Sequence, residues 1–204
     1  MSTTVSTRRP SLTSRSIAAA GLRVIDREGA AGFSMRSVAA EVGASPMSLY
    51  HHVADRAALV ALMIDLSVSE VPMPSAMGED WREDLLRLAN WLRDSAQRHP
   101  ALIEVTSELR EATPRLAAFG EQWIALWRRS DLPVELQFAA ANTSLAGVVA
   151  MVQQIRTPAV DEIPRLESLP NLRHALSRTP GEAEMFDLFV RALVDGLCVQ
   201  VRRD

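Results

Sequence analysis

The chain has 204 residues, 48% of them hydrophobic and 23% charged, with a net charge of −3. That is the range of a folded globular protein with one or two small domains, and it excludes a disordered or fibrous chain. Cys198 is the only cysteine, which excludes an internal disulfide or a cysteine-built metal cluster and fits a cytoplasmic setting. The charge is uneven. Residues 1–60 hold seven arginines against four acids, a balance of +3, and the rest carries −6. A basic front on an acidic body suits a polyanion-binding domain joined to a second module.

Residues 1–13 begin MSTTVSTRRP, with Arg8 and Arg9 but no apolar run behind them, and read as a flexible arm rather than a secretory signal. A first helix starts at Ser14, puts Ile17, Gly21, Val24 and Ile25 on one face and ends at Gly29. Ser34 caps a second helix with Met35, Val38, Ala39 and Val42 inward, broken by Gly43. Ser45 followed by Pro46 is a strong start signal for a short third helix, with Leu49, Tyr50 and Val53 inward. Asp55 caps a fourth, whose Leu59, Leu62, Met63 and Leu66 follow the helical spacing. The Pro72, Pro74 and Gly78 stretch reads as a hinge, which divides the chain into a domain over 14–70 and another over 79–204.

Beyond the hinge, Trp81, Leu85, Leu88 and Leu92 mark a long amphipathic helix stopped at His99–Pro100. A short helix covers Ala101–Leu109. Pro114 opens the next, and Pro133 opens another that runs to about Arg156. The centre of that helix, Leu145–Val152, is apolar almost all round, so burial on more than one side is expected; it is far short of the roughly 20 residues that span a bilayer. Residues 157–181 hold Pro158, Pro164, Pro170 and Pro180 and read as loop with one short helix. A last helix over about Glu182–Arg202 carries Met185, Phe186, Phe189, Leu193 and Leu197. No strand pattern appears, so the fold class is all-α.

The informative segment is residues 34–53, SMRSVAAEVGASPMSLYHHV. Two short helices joined at Gly43–Ala44 make a helix-turn-helix. The second is too short to stand alone, so its neighbours must hold it. Its outer face presents Pro46, Met47, Ser48, His51 and His52, groups suited to base edges and phosphates. Ser34 sits where helix-terminal N–H groups can meet a phosphate, and Arg36 points out from the next turn, where a guanidinium can pair with guanine. Tyr50 has a second reading as a core ring. His51 and His52 are adjacent and do not face one another, so they do not make a metal site.

From about Ser14 to Leu66 the chain resembles the tetracycline-repressor (TetR) family. The carrying features, in register, are REGAAGF, SMRSVAAEVG, ASPMSLYHHV and ADRAALVALM. The resemblance implies a homodimer on an operator in double-stranded DNA, with a small-molecule effector releasing a repressor. It implies DNA contacts at Ser34, Arg36, Pro46, Met47, Ser48, Tyr50, His51, His52 and Arg56, with Tyr50 and Arg56 mainly on phosphates. The position of His51 often holds another aromatic, and that of Arg56 is usually lysine; arginine keeps the charge but alters the hydrogen-bond geometry. Where tetracycline-binding members carry histidine and asparagine, this chain has Pro72 and Leu88, so a tetracycline–magnesium site is not expected.

In the second domain, Trp91, Trp123, Trp127, Phe138 and Met151 are candidate walls of an effector pocket, with Ser95, Asn142 and Gln154 as polar anchors. Such walls suit a small apolar or aromatic effector; for any single residue, core packing is the competing reading. The helices around Leu145–Val152 and 185–199 carry more apolar surface than one chain's core needs, and Ala139, Ala140, Ala141, Ala146 and Gly147 allow close helix approach, which favours a homodimer. Cys198 reads as a packing residue. The chain lacks the common phosphate-loop, dinucleotide, nucleophile-elbow and zinc-protease motifs, so no enzyme, cofactor, metal or membrane role is expected. The alternative function is a helical adaptor that binds another protein through its apolar last helices.

Overall fold

The computed structural model describes residues 12–74, 78–154, 168–176 and 181–200. Among them every regular element is helical: α1 Ser14–Gly32, α2 Met35–Glu41, α3 Pro46–Tyr50, α4 Arg56–Val68, α5 Trp81–Arg98, a 3-10 helix Pro100–Glu108, α6 Pro114–Trp127, α7 Val134–Gln154, α8 Pro170–Leu176 and α9 Glu182–Gln200. None of these helices is long and apolar enough to cross a membrane. The backbone forms two compact units. One comprises residues up to Val71 together with Ser95–Ala117; the other comprises Pro72–Asp94 and residues from Ala118 onward.

In the first unit, local capping sets the helix starts. Thr13 accepts from the Ser16 N–H while the Ser16 hydroxyl accepts from the Thr13 N–H, a reciprocal box that opens α1. Ser34 and Ser37 repeat the arrangement at α2. The Asp55 carboxylate accepts from the Ala58 N–H at 2.8 Å and opens α4. α1 does not stop at Gly29, as its sequence suggests; it bends there, with Gly29 at φ 69°, and closes at Gly32. Ile17, Val24 and Ile25 of α1 and Leu59, Val60 and Met63 of α4 have no exposure and form the unit's core. Leu102 and Val105 of the 3-10 helix are also buried, and His99 just before it is held to Asp26 of α1 at 2.8 Å. The 101–109 segment is therefore helical as expected, but of 3-10 type and packed with the N-terminal helices.

The second unit packs buried stripes of its helices together. α9 buries Phe186, Val190, Val194 and Cys198, spaced every fourth residue. α7 buries Ala140, Ala141, Ser144 and Val148. A Cβ at Gly147 would lie 2.8 Å from the Leu193 side chain, so glycine there permits the close approach of α7 and α9. Burial on more than one side, expected at Leu145–Val152, is incomplete among the described residues of this chain. Val149 is 38% exposed, and Ala146 and Ala150 lie open to solvent. Asp84 of α5 is a buried carboxylate that accepts from the Gly78 N–H at 3.0 Å, Arg129 at 2.9 Å and Arg87. Burial alone would raise its pKa, but these donors outweigh burial and hold the carboxyl below its usual range. Arg129 also donates to the Gly78 and Glu79 carbonyls, both at 2.8 Å, which fastens the chain entering α5.

Candidate nucleic-acid interface

The turn between α2 and α3 is a tight reversal. Gly43 takes φ 65°, a conformation L side chains rarely adopt, and the Ala44 N–H reaches back to the Ala39 carbonyl at 2.9 Å. Ser45 then accepts from the Ser48 N–H at 3.1 Å, with Pro46 at the first helical position. α3 has only five residues, and its single buried side chain is Leu49, which is fully enclosed. Val53, just beyond it, is buried as well. A helix this short has no stability of its own, so Leu49 and Val53 fix which face points outward.

That face carries the expected side chains. Pro46, His51 and His52 are exposed, Met47 is 70% exposed and Tyr50 is 48% exposed. The Tyr50 ring is thus not a core ring. Ser48 is half-buried, its hydroxyl 2.8 Å from that of Ser45. On α2, Ser34 and Arg36 are exposed. One fastening escaped the sequence pattern: the Ser14 hydroxyl donates to the His52 carbonyl at 3.1 Å and ties the start of α1 to the end of α3. The two lie 38 positions apart, and no local signal announces the bond.

The charges around the motif are largely spoken for. Arg23 and Arg27 of α1 reach Glu41 of α2 at 2.8 and 3.1 Å, and hydrogen bonding from Arg23 holds the Glu41 carboxyl below its usual range. Arg56, half-buried at the start of α4, donates Nε and Nη2 to the Glu108 carboxylate at 2.9 and 3.0 Å. Its Nη1 donates to the Phe33 carbonyl at 2.5 Å, and its plane covers the Phe33 ring at 4.3 Å. Arg15 and Arg36 are exposed and make no ion pair among the described residues.

In the second unit the candidate pocket residues fall into separate groups. Trp91 stacks on Phe119 at 5.4 Å, and Phe119 meets Trp123 at 5.7 Å. The Trp123 indole N–H donates to the Ala141 carbonyl at 3.0 Å and to the Ser144 hydroxyl at 3.1 Å. Trp127 packs on Trp81 at 5.2 Å instead. The Ser95 hydroxyl, which belongs to the first unit, and the Trp127 indole nitrogen are buried without a hydrogen-bond partner among the described residues. Met151 is half-buried, whereas Asn142, Gln154 and Phe138 (65% exposed) lie on the outside of α7. A cavity of about 160 Å³ elsewhere in this unit is lined by Asp80, Arg82, Glu83, Leu86, Arg191 and Asp195, among others. Among the described residues no cluster of His, Cys, Asp or Glu is placed to hold a metal ion.

A capped two-helix turn with an exposed second helix, joined in one chain to a separate helical unit, defines a helix-turn-helix protein with an appended helical domain. Residues 17–63 match the family described as "Bacterial regulatory proteins, tetR family", and residues 73–200 match the family described as "Tetracyclin repressor-like, C-terminal domain". Together these matches span most of the chain, and it belongs to the tetR family. It is 37% identical over 98 residues to the "HTH-type transcriptional repressor DrrR1" of Streptomyces coeruleorubidus, a stretch that is 48% of this chain and 36% of that protein. It is 32% identical over 113 residues to an "HTH-type transcriptional regulator" of Saccharopolyspora erythraea, 55% of this chain and 48% of that one. The matched stretches thus span less than half the length of either curated relative. Among solved structures, the fold is similar to that of the Streptomyces coelicolor TetR family protein ActR in complex with (S)-DNPA. That likeness has a TM-score of 0.73 at 25% identity and covers 94% of this chain and 99% of ActR.

Proposed function

We propose that this protein is a DNA-binding transcriptional repressor that acts as a homodimer and is released from a palindromic operator by a small-molecule effector. The observation that carries the reading is the outward face of α3. Its one buried residue turns Met47, Tyr50, His51 and His52 to solvent on a helix short enough to enter a major groove. Arg36, exposed and unpaired among the described residues, supplies a bidentate donor for a guanine edge. The curated relative named as a repressor supports the sign of regulation.

Two further features support the finer reading. α7 and α9 leave Val149, Leu188 and Val199 exposed, which fits pairing with a second copy. Two recognition helices then have to sit about one DNA turn apart, roughly 34 Å. ActR, similar in fold, was solved in complex with (S)-DNPA, which supports an effector for this chain too. Trp91 and Trp123, linked through Phe119 within the second unit, are the proposed place for it, and their chemistry suits an apolar or aromatic molecule. The effector releases DNA only as far as it prefers one arrangement of the dimer over the other. This reading assigns the chain no catalytic role and no cofactor.

The reading is tested at Arg36. Arg36→Ala removes an exposed side chain, so the fold should persist while operator affinity falls by about 1–3 kcal/mol. Fluorescence anisotropy on a selected operator duplex measures it. A folded Arg36→Ala protein that binds as tightly as the parent removes Arg36 from the interface.

A further inference from the structure

Residues 12–60 contain five arginines, at positions 15, 23, 27, 36 and 56. Three of them are neutralised inside the unit: Arg23 and Arg27 by Glu41, and Arg56 by Glu108. The first two pairs lie on the α1–α2 surface. The third is different in kind, because Arg56 is the first residue of α4 and follows the exposed end of α3 by only a short turn. Its Nη1 is bonded to the carbonyl of Phe33, the residue that precedes the exposed Ser34. The guanidinium therefore sits at the edge of the helix-turn-helix and is one-third exposed.

A guanidinium has two recognition edges and two faces. Here one face lies on the Phe33 ring and the Nη1 corner holds the Phe33 carbonyl. The Nε–Nη2 edge, the one that grips a carboxylate or a phosphate with two parallel bonds, is filled by Glu108. Beside it, Arg110 reaches Asp55 at 3.2 Å, so the start of α4 is held by a crossed pair of charges from residues 108–110. Glu108 is itself one-third exposed, and an exposed ion pair is worth little net because each partner also finds water and salt. Exchange of one anionic acceptor for another is therefore nearly balanced.

We propose that Glu108 competes with DNA phosphates for Arg56, and so sets how tightly and with what salt sensitivity this protein holds DNA. The proposal rests on the DNA-binding reading above. In the native pair Arg56 stays with Glu108, and each protomer contacts one phosphate fewer than its arginines would allow. Loss of the Glu108 charge frees the Nε–Nη2 edge for the backbone of the duplex.

The test is a salt series of anisotropy titrations with the full chain on a labelled mixed-sequence duplex, between about 50 and 200 mM salt. Glu108→Gln is expected to bind about three- to tenfold tighter at the low end, with a log–log salt slope steeper by about one per bound protomer. Glu108→Ala carries the same expectation and leaves no amide to hold the guanidinium. Adding Arg56→Gln to either variant should cancel the gain in affinity and the added slope. Glu104→Gln, which removes a charge from an exposed position on the same 3-10 helix, should leave the slope alone. Unchanged or weaker binding by folded Glu108 variants with an unaltered slope overturns the proposal. So does a gain that persists when Arg56→Gln is added to a Glu108 variant. If the parent protein binds neither this duplex nor any selected one, the DNA-binding reading fails first and takes this inference with it.

Discussion

Leu49→Ala is expected to abolish DNA binding while leaving the second unit folded. α3 makes one backbone turn and a half and is attached by a single enclosed side chain. Truncation of a buried leucine costs about 2–5 kcal/mol. A small domain holds only about 5–15 kcal/mol in total, so the loss falls on its most weakly held element. The caps at Ser45 and Gly43 remain, but they specify where α3 starts, not which way it faces. Thermal melts followed by circular dichroism should show a lowered first transition with most helicity retained below it. Met47→Ala is the matched control: Met47 is 70% exposed, so it should change stability by less than about 0.5 kcal/mol while still altering the interface. Wild-type affinity in Leu49→Ala would mean that α3 is not the element that reads DNA.

Trp123→Ala should cost about 3–5 kcal/mol in the second unit. Trp123 has no exposure, packs on Phe119 and supplies the donor that satisfies the Ala141 carbonyl and the Ser144 hydroxyl. Truncation opens a cavity and leaves the fully buried Ser144 hydroxyl without the indole N–H. Trp123→Phe keeps most of the ring and loses only the N–H, so its loss should be smaller, about 1–3 kcal/mol. Denaturant melts of the three proteins rank them. Equal losses in both variants would show that the indole hydrogen bonds, not the packed volume, hold this part of the unit. Unliganded Trp123→Phe should retain near-parental DNA affinity, because the ring and its hydrogen-bond partners all belong to the second unit.

What the amino-acid pattern made legible is what short-range chemistry decides. Ser34, Ser45 and Asp55 each cap the helix they precede, because a side-chain oxygen two or three residues from an unpaired N–H is a local fact. Gly43 and the Pro46 start follow for the same reason. The outward positions of Met47, His51 and His52 follow from Leu49 and Val53 being apolar, whereas Tyr50, expected inward, is 48% exposed. Pairings across many residues were not legible. Nothing in spacing announces that Ser14 fastens His52, that Glu108 fills Arg56, or that Leu102 and Val105 pack with α1 and α4. The cover of α7 is not legible for a related reason. Apolar composition reports that Val149 needs a cover, and it does not say whether the cover belongs to the same chain. Residue type alone does not separate enclosed side chains such as Trp91 from exposed ones such as Phe138.

The central claim is that the exposed face of α3 reads duplex DNA as one of a matched pair. Selection of duplexes from a fragmented genomic library by the purified full chain tests it most directly, with footprinting of the winners. The account predicts enrichment of fragments that share an inverted repeat, with two protected half-sites centred about one helical turn apart. Recovery of no fragment above the mixed-sequence background, or protection of a single site by one protomer, would contradict it.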